Sequence, residues 1–201
     1  TLYGMLKKLD IEIIDMGVVR DRREQIEQAF HDAAASADAI ITSGGVSVGE
    51  ADFVKETLEK LGSMSFWKIA MKPGRPVTFG HIKDAVFFGL PGNPVSVMVT
   101  FFQFVRPALL KMTGDSGVLD AYTLHARTTT ALRKRPGRYE FQRGVLQQTA
   151  PGEFSVRSAG AQGSGILRSM SEANCFILLD PDRTRVEAGE VVEVQPFQNL
   201  I

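Results

Sequence analysis

The chain has 201 residues, 44% of them hydrophobic, enough for one large domain or two small ones with a real core. Lys and Arg total 23 and Asp and Glu total 23, a formal net charge of zero, which excludes a general nucleic-acid binder and makes any anion site a local one. A single cysteine, Cys175, excludes an intrachain disulfide and fits a reducing, cytoplasmic setting.

Neither a signal peptide nor an apolar run long enough to span a bilayer is legible, so no membrane partner is expected. Residues 1–9 read as helix, with Leu2, Met5, Leu6 and Leu9 at helical spacing. Because that pattern opens at Thr1, the chain reads as a fragment or the ordered part of a longer protein. Ile11–Val19 reads as strand, 22–36 as helix with Ile26, Phe30, Ala33 and Ala37 on one face, 38–42 as strand and 53–61 as helix. Phe66–Met71, Val77–Phe79 and Ala85–Leu90 read as strands, with a turn at His81–Asp84. A long apolar helix opens at Asn93-Pro94, a favoured N-cap followed by a favoured first residue, and Pro107 should kink or end it. This alternation predicts an α/β fold with an open, mostly parallel sheet and helices on both faces. Near Asp115–Ala121 the texture changes. Five short strands follow, Thr123–Thr130, Tyr139–Leu146, Phe154–Arg157, Cys175–Leu179 and Val191–Val194, separated by Pro-Gly and Asp-Pro turns and without a convincing helix. They predict a small all-β barrel or sandwich, with the domains at 1–117 and 118–201.

The most telling segment is Thr42-Ser43-Gly44-Gly45-Val46-Ser47-Val48-Gly49-Glu50-Ala51-Asp52. A strand, a loop of glycines and hydroxyls, and a helix N-terminus together present outward N–H groups to an anion. Its carboxylates, Glu50 and Asp52, repel phosphate, which calls for a metal ion or a cationic neighbour. In open α/β sheets ligands bind beyond the C-terminal strand ends. Arg20-Asp21, the Ser43–Gly45 loop, Lys72-Pro73-Gly74-Arg75-Pro76 and Leu90-Pro91-Gly92-Asn93-Pro94 should converge there. Carboxylates, cations and two helix N-termini on one side suit a polyanionic ligand held with Mg²⁺.

Each piece also has a plainer reading. Gly44-Gly45 could be a tight turn, Asp52 a helix cap and Asp21 a helix-start carboxylate. Lys68, in an apolar strand, is either a solvated edge lysine or a cation aimed into a site. Lys72 and Arg75 could be solvated loop cations, and Leu-Pro-Gly-Asn-Pro mere punctuation. His31, His81 and His125 lack ligand spacing, Cys175 reads as core, and Ser43 and Ser47 lack a nearby His base. Arg133–Arg138 reads as a solvated hairpin tip. Arg143 alternates with hydrophobic neighbours and points outward toward a partner domain on that pattern. Gln162-Gly163-Ser164 either closes over a ligand or merely turns.

Taken together the motifs resemble the C-terminal half of the MoeA-type molybdopterin molybdenumtransferases, the family that includes the E domain of gephyrin. The carrying residues are Thr42–Asp52, Trp67-Lys68, Lys72–Pro76, Leu90–Pro94, Pro136-Gly-Arg138, Phe141-Gln-Arg-Gly144 and Gln162-Gly-Ser164, in matching order and spacing. The resemblance implies a molybdopterin-binding fold whose N-terminal strand precedes this chain. It implies insertion of molybdenum from molybdate into adenylylated molybdopterin, with Mg²⁺-dependent release of AMP. On matching positions it implies Asp21 and Asp52 as acidic, metal-binding residues and Lys68 and Lys72 as holders of phosphate or molybdate. Ser43, Gly44, Gly45, Ser47, Glu50, Arg75, Gly92 and Asn93 would line the ligand. Pro91 and Pro94 would shape its loop, and Arg143 and Ser164 would add polar groups from the C-terminal domain. It further implies a homodimer whose site uses a domain outside these residues, and contact with other proteins of the same biosynthesis. Breaking a phosphoanhydride needs charge neutralisation more than a covalent nucleophile, which agrees. The alternatives are a non-catalytic pterin-binding or scaffold module of the same fold, and an unrelated nucleotide-binding α/β domain. The absence of Gly-x-Gly-x-x-Gly and of Gly-x-x-x-x-Gly-Lys-[Ser/Thr] counts against the last.

Overall fold

The alternation of apolar runs and helical stripes gives, in order, α1 (Leu2–Leu6), α2 (Arg23–Ser36), β1 (Ala39–Ser43), α3 (Phe53–Leu61), β2 (Gly62–Lys68), β3 (Met71–Lys72), β4 (Pro76–Ile82), β5 (Ala85–Leu90), α4 (Pro94–Thr100) and α5 (Arg106–Met112). The structure, a computed structural model, describes residues 1–44, 53–115 and 122–197, and of Phe53, Phe66 and Trp67 the backbone alone. The chain divides into two compact units. The first holds Thr1–Ile69 and Gly74–Thr113, the second Ala70–Pro73 and Gly114–Ile201.

The sheet of the first unit has the order β1-β5-β4-β2. β1 and β5 are parallel, whereas β5–β4 and β4–β2 are antiparallel, so the described sheet is mixed where a mostly parallel one was expected. The reason is local. Ile82 pairs with Ala85 across the two-residue turn Lys83-Asp84, with Lys83 at φ 52°, and a turn this tight permits only an antiparallel hairpin. β2 and β4 form a second hairpin that is closed by Ile69 N–H donating to the Arg75 carbonyl at 2.9 Å. Between those two residues the chain leaves the unit, and the expected strand over 66–71 is thereby split into β2 and β3.

Ile26, Phe30 and Ala33 of α2 and Leu58 of α3 pack with Ile40, Ile82, Ala85 and Phe87 of the sheet. Phe30 meets Phe87 edge to face, with centroids 5.7 Å apart, and an Arg23–Glu56 ion pair links the two helices outside that core. Phe88 points to the opposite face and stacks on its cross-strand partner Phe79 at 5.3 Å.

Residues 11–20 form no strand. Asp15 Oδ1 accepts the Gly17 N–H at 2.8 Å and Gly17 adopts φ 68°, an Asx-type turn that breaks the extended run. Ile14, Met16, Val18 and Val19 are consequently exposed. The first helix stops at Leu6, short of the expected residue 9.

Asn93 is the N-cap of α4 and Pro94 its first residue, as the sequence predicts. Pro107 neither ends nor interrupts the helix. A π-helical turn, Phe101–Val105, precedes α5, and Pro107 lies in the first turn of α5, where its missing N–H is tolerated. Pro94–Met112 thus makes a 19-residue helix long and apolar enough, by length and composition, to cross a membrane, contrary to the expectation of no such segment. Half of its apolar window is buried inside the protein, as in the core helix of a globular fold.

The second unit is built from β6 (Leu124–Thr128), β7 (Leu132–Arg133), β8 (Tyr139–Ala150), β9 (Glu153–Ser158), β10 (Cys175–Leu179), β11 (Arg185–Val186) and β12 (Val191–Pro196). Pairing runs β10-β12-β6-β9-β8, and β8 returns to β10, closing a five-stranded barrel-like sheet. β3 adds to β8 in parallel, and β7 pairs with β11. Val156, Cys175, Ile177, Leu179, Val192 and Val194 fill the interior. Gly144 is required there, because a Cβ would press on the side chains of Ile177 and Cys175. One short helix, α6 (Arg168–Glu172), was not expected; five residues are too few to show a periodic stripe.

Candidate functional site

Strand register brings Ser43-Gly44, Leu90–Pro94 and Arg75-Pro76 to one sheet edge; Arg20-Asp21 follows no strand and is not placed there by register. β1, β5 and β2 run in the same direction, so their C-terminal ends share that edge. Ser43 pairs with Leu90, Gly89 with Thr78, and Val77 with Trp67, which sets Ser43, Leu90, Val77 and Trp67 in one row. One residue beyond the row stand Gly44, Pro91, Pro76 and Lys68. Lys68 is exposed at the end of the edge strand, and Arg75, also exposed, precedes β4 at the same level. With strands about 4.8 Å apart, Gly44 and Lys68 are roughly 14 Å from each other. That is a span suited to an extended ligand rather than a single ion.

The loops after β1 and β5 are joined. Gly44 N–H donates to the Leu90 carbonyl at 3.0 Å, and Ser43 Oγ to the Pro91 carbonyl at 3.4 Å. Gly44 turns away at φ 88°, and a Cβ on Gly92 would lie 3.8 Å from the Gly44 Cα, so small residues let the two loops touch. Gly92 and Asn93 are exposed, and α4 begins at once after them, aiming its free N–H groups at this edge. Ser43, Gly44 and Thr42 also line a cavity of about 820 Å³, which Asp21 and Asp15 share. The Thr42 hydroxyl is buried there and has no hydrogen-bond partner among the described residues. Gly45, Ser47, Glu50 and Asp52 lie outside the described residues. Among the described residues no group of three or more His, Cys, Asp or Glu side chains could hold a metal ion.

Lys72, Arg143 and Ser164 belong to the second unit. Lys72 was expected in a loop; it lies in β3, paired with Glu140 of β8. Its ammonium meets Glu140 Oε1 at 3.1 Å, and the Gln142 amide donates to the same oxygen at 3.1 Å and to the Arg133 carbonyl at 3.0 Å. Arg143, expected to point outward, is only 1% exposed, because residues 140–144 are buried on both faces of the barrel wall. Its Nε donates to Ser169 Oγ at 3.2 Å, and its Nη2 to the carbonyls of Ala161 and Gly163 at 3.1 and 3.0 Å. The Gln162 amide clasps the Arg143 backbone on both sides, accepting its N–H at 2.8 Å and donating to its carbonyl at 3.1 Å. Arg143 is thereby the pin of the 159–166 loop, in which Ser164 is half-buried. Burial holds its guanidinium below its ordinary value, with the charge of Glu140 opposing.

Burial pushes the Cys175 thiol up to about 12, against a partial offset from a backbone hydrogen bond at Leu146, so the cysteine is core and not a nucleophile. Burial, followed by Glu193 and Asp180, pushes Tyr139 up to about 12 as well. Sequence reasoning missed Glu140, Gln142 and Ser169. The signal for the first two was the alternation of Glu140 and Gln142 with Tyr139 and Phe141 in one strand.

Two family models match: the probable molybdopterin binding domain over residues 1–111, and the MoeA C-terminal region, its domain IV, over residues 125–197. The chain belongs to the MoeA-type molybdopterin molybdenumtransferase family. Over its whole length it is 47% identical to the molybdopterin molybdenumtransferase of Haemophilus influenzae, of which it spans 50%. It is 33% identical to gephyrin of Dictyostelium discoideum over 92% of the chain and 29% of that protein. The solved MoeA molybdopterin biosynthesis protein of Pyrococcus horikosii superposes with a TM-score of 0.77 at 30% identity, over 98% of this chain and 46% of that one. The chain thus spans about half the length of the Haemophilus transferase and of the Pyrococcus protein. The family match covers both units, and with it the MoeA-like fold of mixed sheets.

Proposed function

We propose that this member of the MoeA family acts in molybdenum cofactor biosynthesis by inserting molybdenum from molybdate into adenylylated molybdopterin, with release of AMP. The observation that carries the reading is the shared sheet edge, where the Ser43-Gly44 turn is hydrogen-bonded to the Leu90–Pro94 loop beside the N-terminus of α4. Backbone N–H groups and a helix dipole there offer charge neutralisation to a phosphoanhydride. Lys68 and Arg75, on the same edge, supply full positive charges to phosphate or molybdate, and Lys72 is a further anion-holding residue. Pro91 and Pro94 fix the path of the ligand loop, and Ser164 adds a hydroxyl. Arg143 contributes by holding the loop that carries Ser164.

Oxygen donors suit Mg²⁺, and Asp21 offers a carboxylate to the cavity that Ser43 also lines. Asp21 and Asp52 together would hold the ion, which would neutralise charge on the phosphates. The site acts within a homodimer, in the cytoplasm, and hands its product to other proteins of the pathway.

The Asp52→Ala variant tests this reading. Molybdate-dependent AMP release from adenylylated molybdopterin should fall by about a hundredfold or more. Release at the unchanged rate contradicts it.

A further inference from the structure

We propose that Glu140 is a positioning residue that holds the Lys72 ammonium in place and limits how tightly it binds an anion; the inference rests on the reading of Lys72 as an anion-holding residue. The pair is asymmetric. The Lys72 side chain is 40% exposed, whereas that of Glu140 is 5% exposed, with 3.1 Å between Nζ and Oε1. A buried carboxylate is costly unless its oxygens are satisfied, and Gln142 donates to the same Oε1 at 3.1 Å while itself tied to the Arg133 carbonyl. Glu140 is therefore fixed from inside the barrel wall, and Lys72 is the partner that can move. The neighbouring guanidinium of Arg143 is buried and also feels the Glu140 charge.

An anion that reaches Lys72 meets an ammonium already paired with a carboxylate oxygen 3.1 Å away. It binds through the remaining N–H donors of that ammonium and feels the repulsion of the carboxylate. Glu140 thus aims the ammonium when no anion is present and lets a bound anion leave readily. The role needs both a buried acid and an exposed base, which the parallel pairing of β3 with β8 places side by side at Lys72 and Glu140.

Calorimetric titration of the full chain with molybdate alone tests this. Glu140→Gln keeps the amide and carbonyl contacts but removes the charge, and should bind molybdate about tenfold more tightly than the wild type. A damaged fold does not produce a gain in affinity. Lys72→Met should lose most of the binding. If Glu140→Gln binds no more tightly while Lys72→Met loses binding, the role of Glu140 falls and the reading of Lys72 stands. If Lys72→Met binds as the wild type does, or the wild type does not bind, both fall. A second measurement needs no variant. Acylation by acetic anhydride should label Lys72 several-fold more slowly than exposed Lys111, and equal rates would overturn the proposal.

Discussion

Arg143→Ala should destabilise the second unit by about 3–5 kcal/mol. The guanidinium is buried and bridges Ser169 Oγ to the carbonyls of Ala161 and Gly163. Truncation removes all three hydrogen bonds, takes that donor from the buried Ser169 hydroxyl and opens a cavity in the barrel wall. Arg143→Lys should cost nearly as much, because one ammonium cannot reproduce a planar fork that reaches three oxygens. Urea unfolding followed by far-ultraviolet circular dichroism measures both. Wild-type stability in Arg143→Lys would mean that charge alone matters at this position. The same variants should expose the 159–166 loop to protease, since Gln162 clasps the backbone of the residue being changed.

Phe87→Ala is the comparable lesion in the first unit, with an expected loss of about 3–5 kcal/mol. Phe87 is fully buried and its edge-to-face contact with Phe30 ties β5 to α2. β5 ends in Leu90, whose carbonyl holds Gly44, so the lesion should loosen the candidate site as well as the core. Hydrogen exchange at Gly44 should accelerate in step with the lost stability. Protection at Gly44 that survives the substitution would show that the loops are held independently of the core.

Much of the site was legible because loops of this kind obey short-range rules. Asn93-Pro94 announced a helix start, and the glycines after β1 announced a turn, without reference to the rest of the chain. The barrel strands were legible for the same reason, since turn residues bracket each one. What depends on pairing was not. The run Ile11–Val19 is apolar enough for a strand, but the Asp15–Gly17 turn breaks it, and among the described residues no strand pairs with it. The excursion of Ala70–Pro73 into the second unit, which carries Lys72 away from Lys68 in the division of the chain, has no local signature. Glu140 was passed over because a polar residue in a strand ordinarily faces water, and only the closure of the barrel buries it. The orientation of Arg143 was misread on the same assumption.

The edge formed by the ends of β1, β5 and β2 should receive the pterin phosphate. Amide chemical-shift mapping with adenylylated molybdopterin measures this most directly. Ser43, Gly44, Gly92, Asn93 and Lys68 are predicted to shift together at one binding constant. Saturable binding that leaves these five amides unmoved would show that the phosphate binds elsewhere.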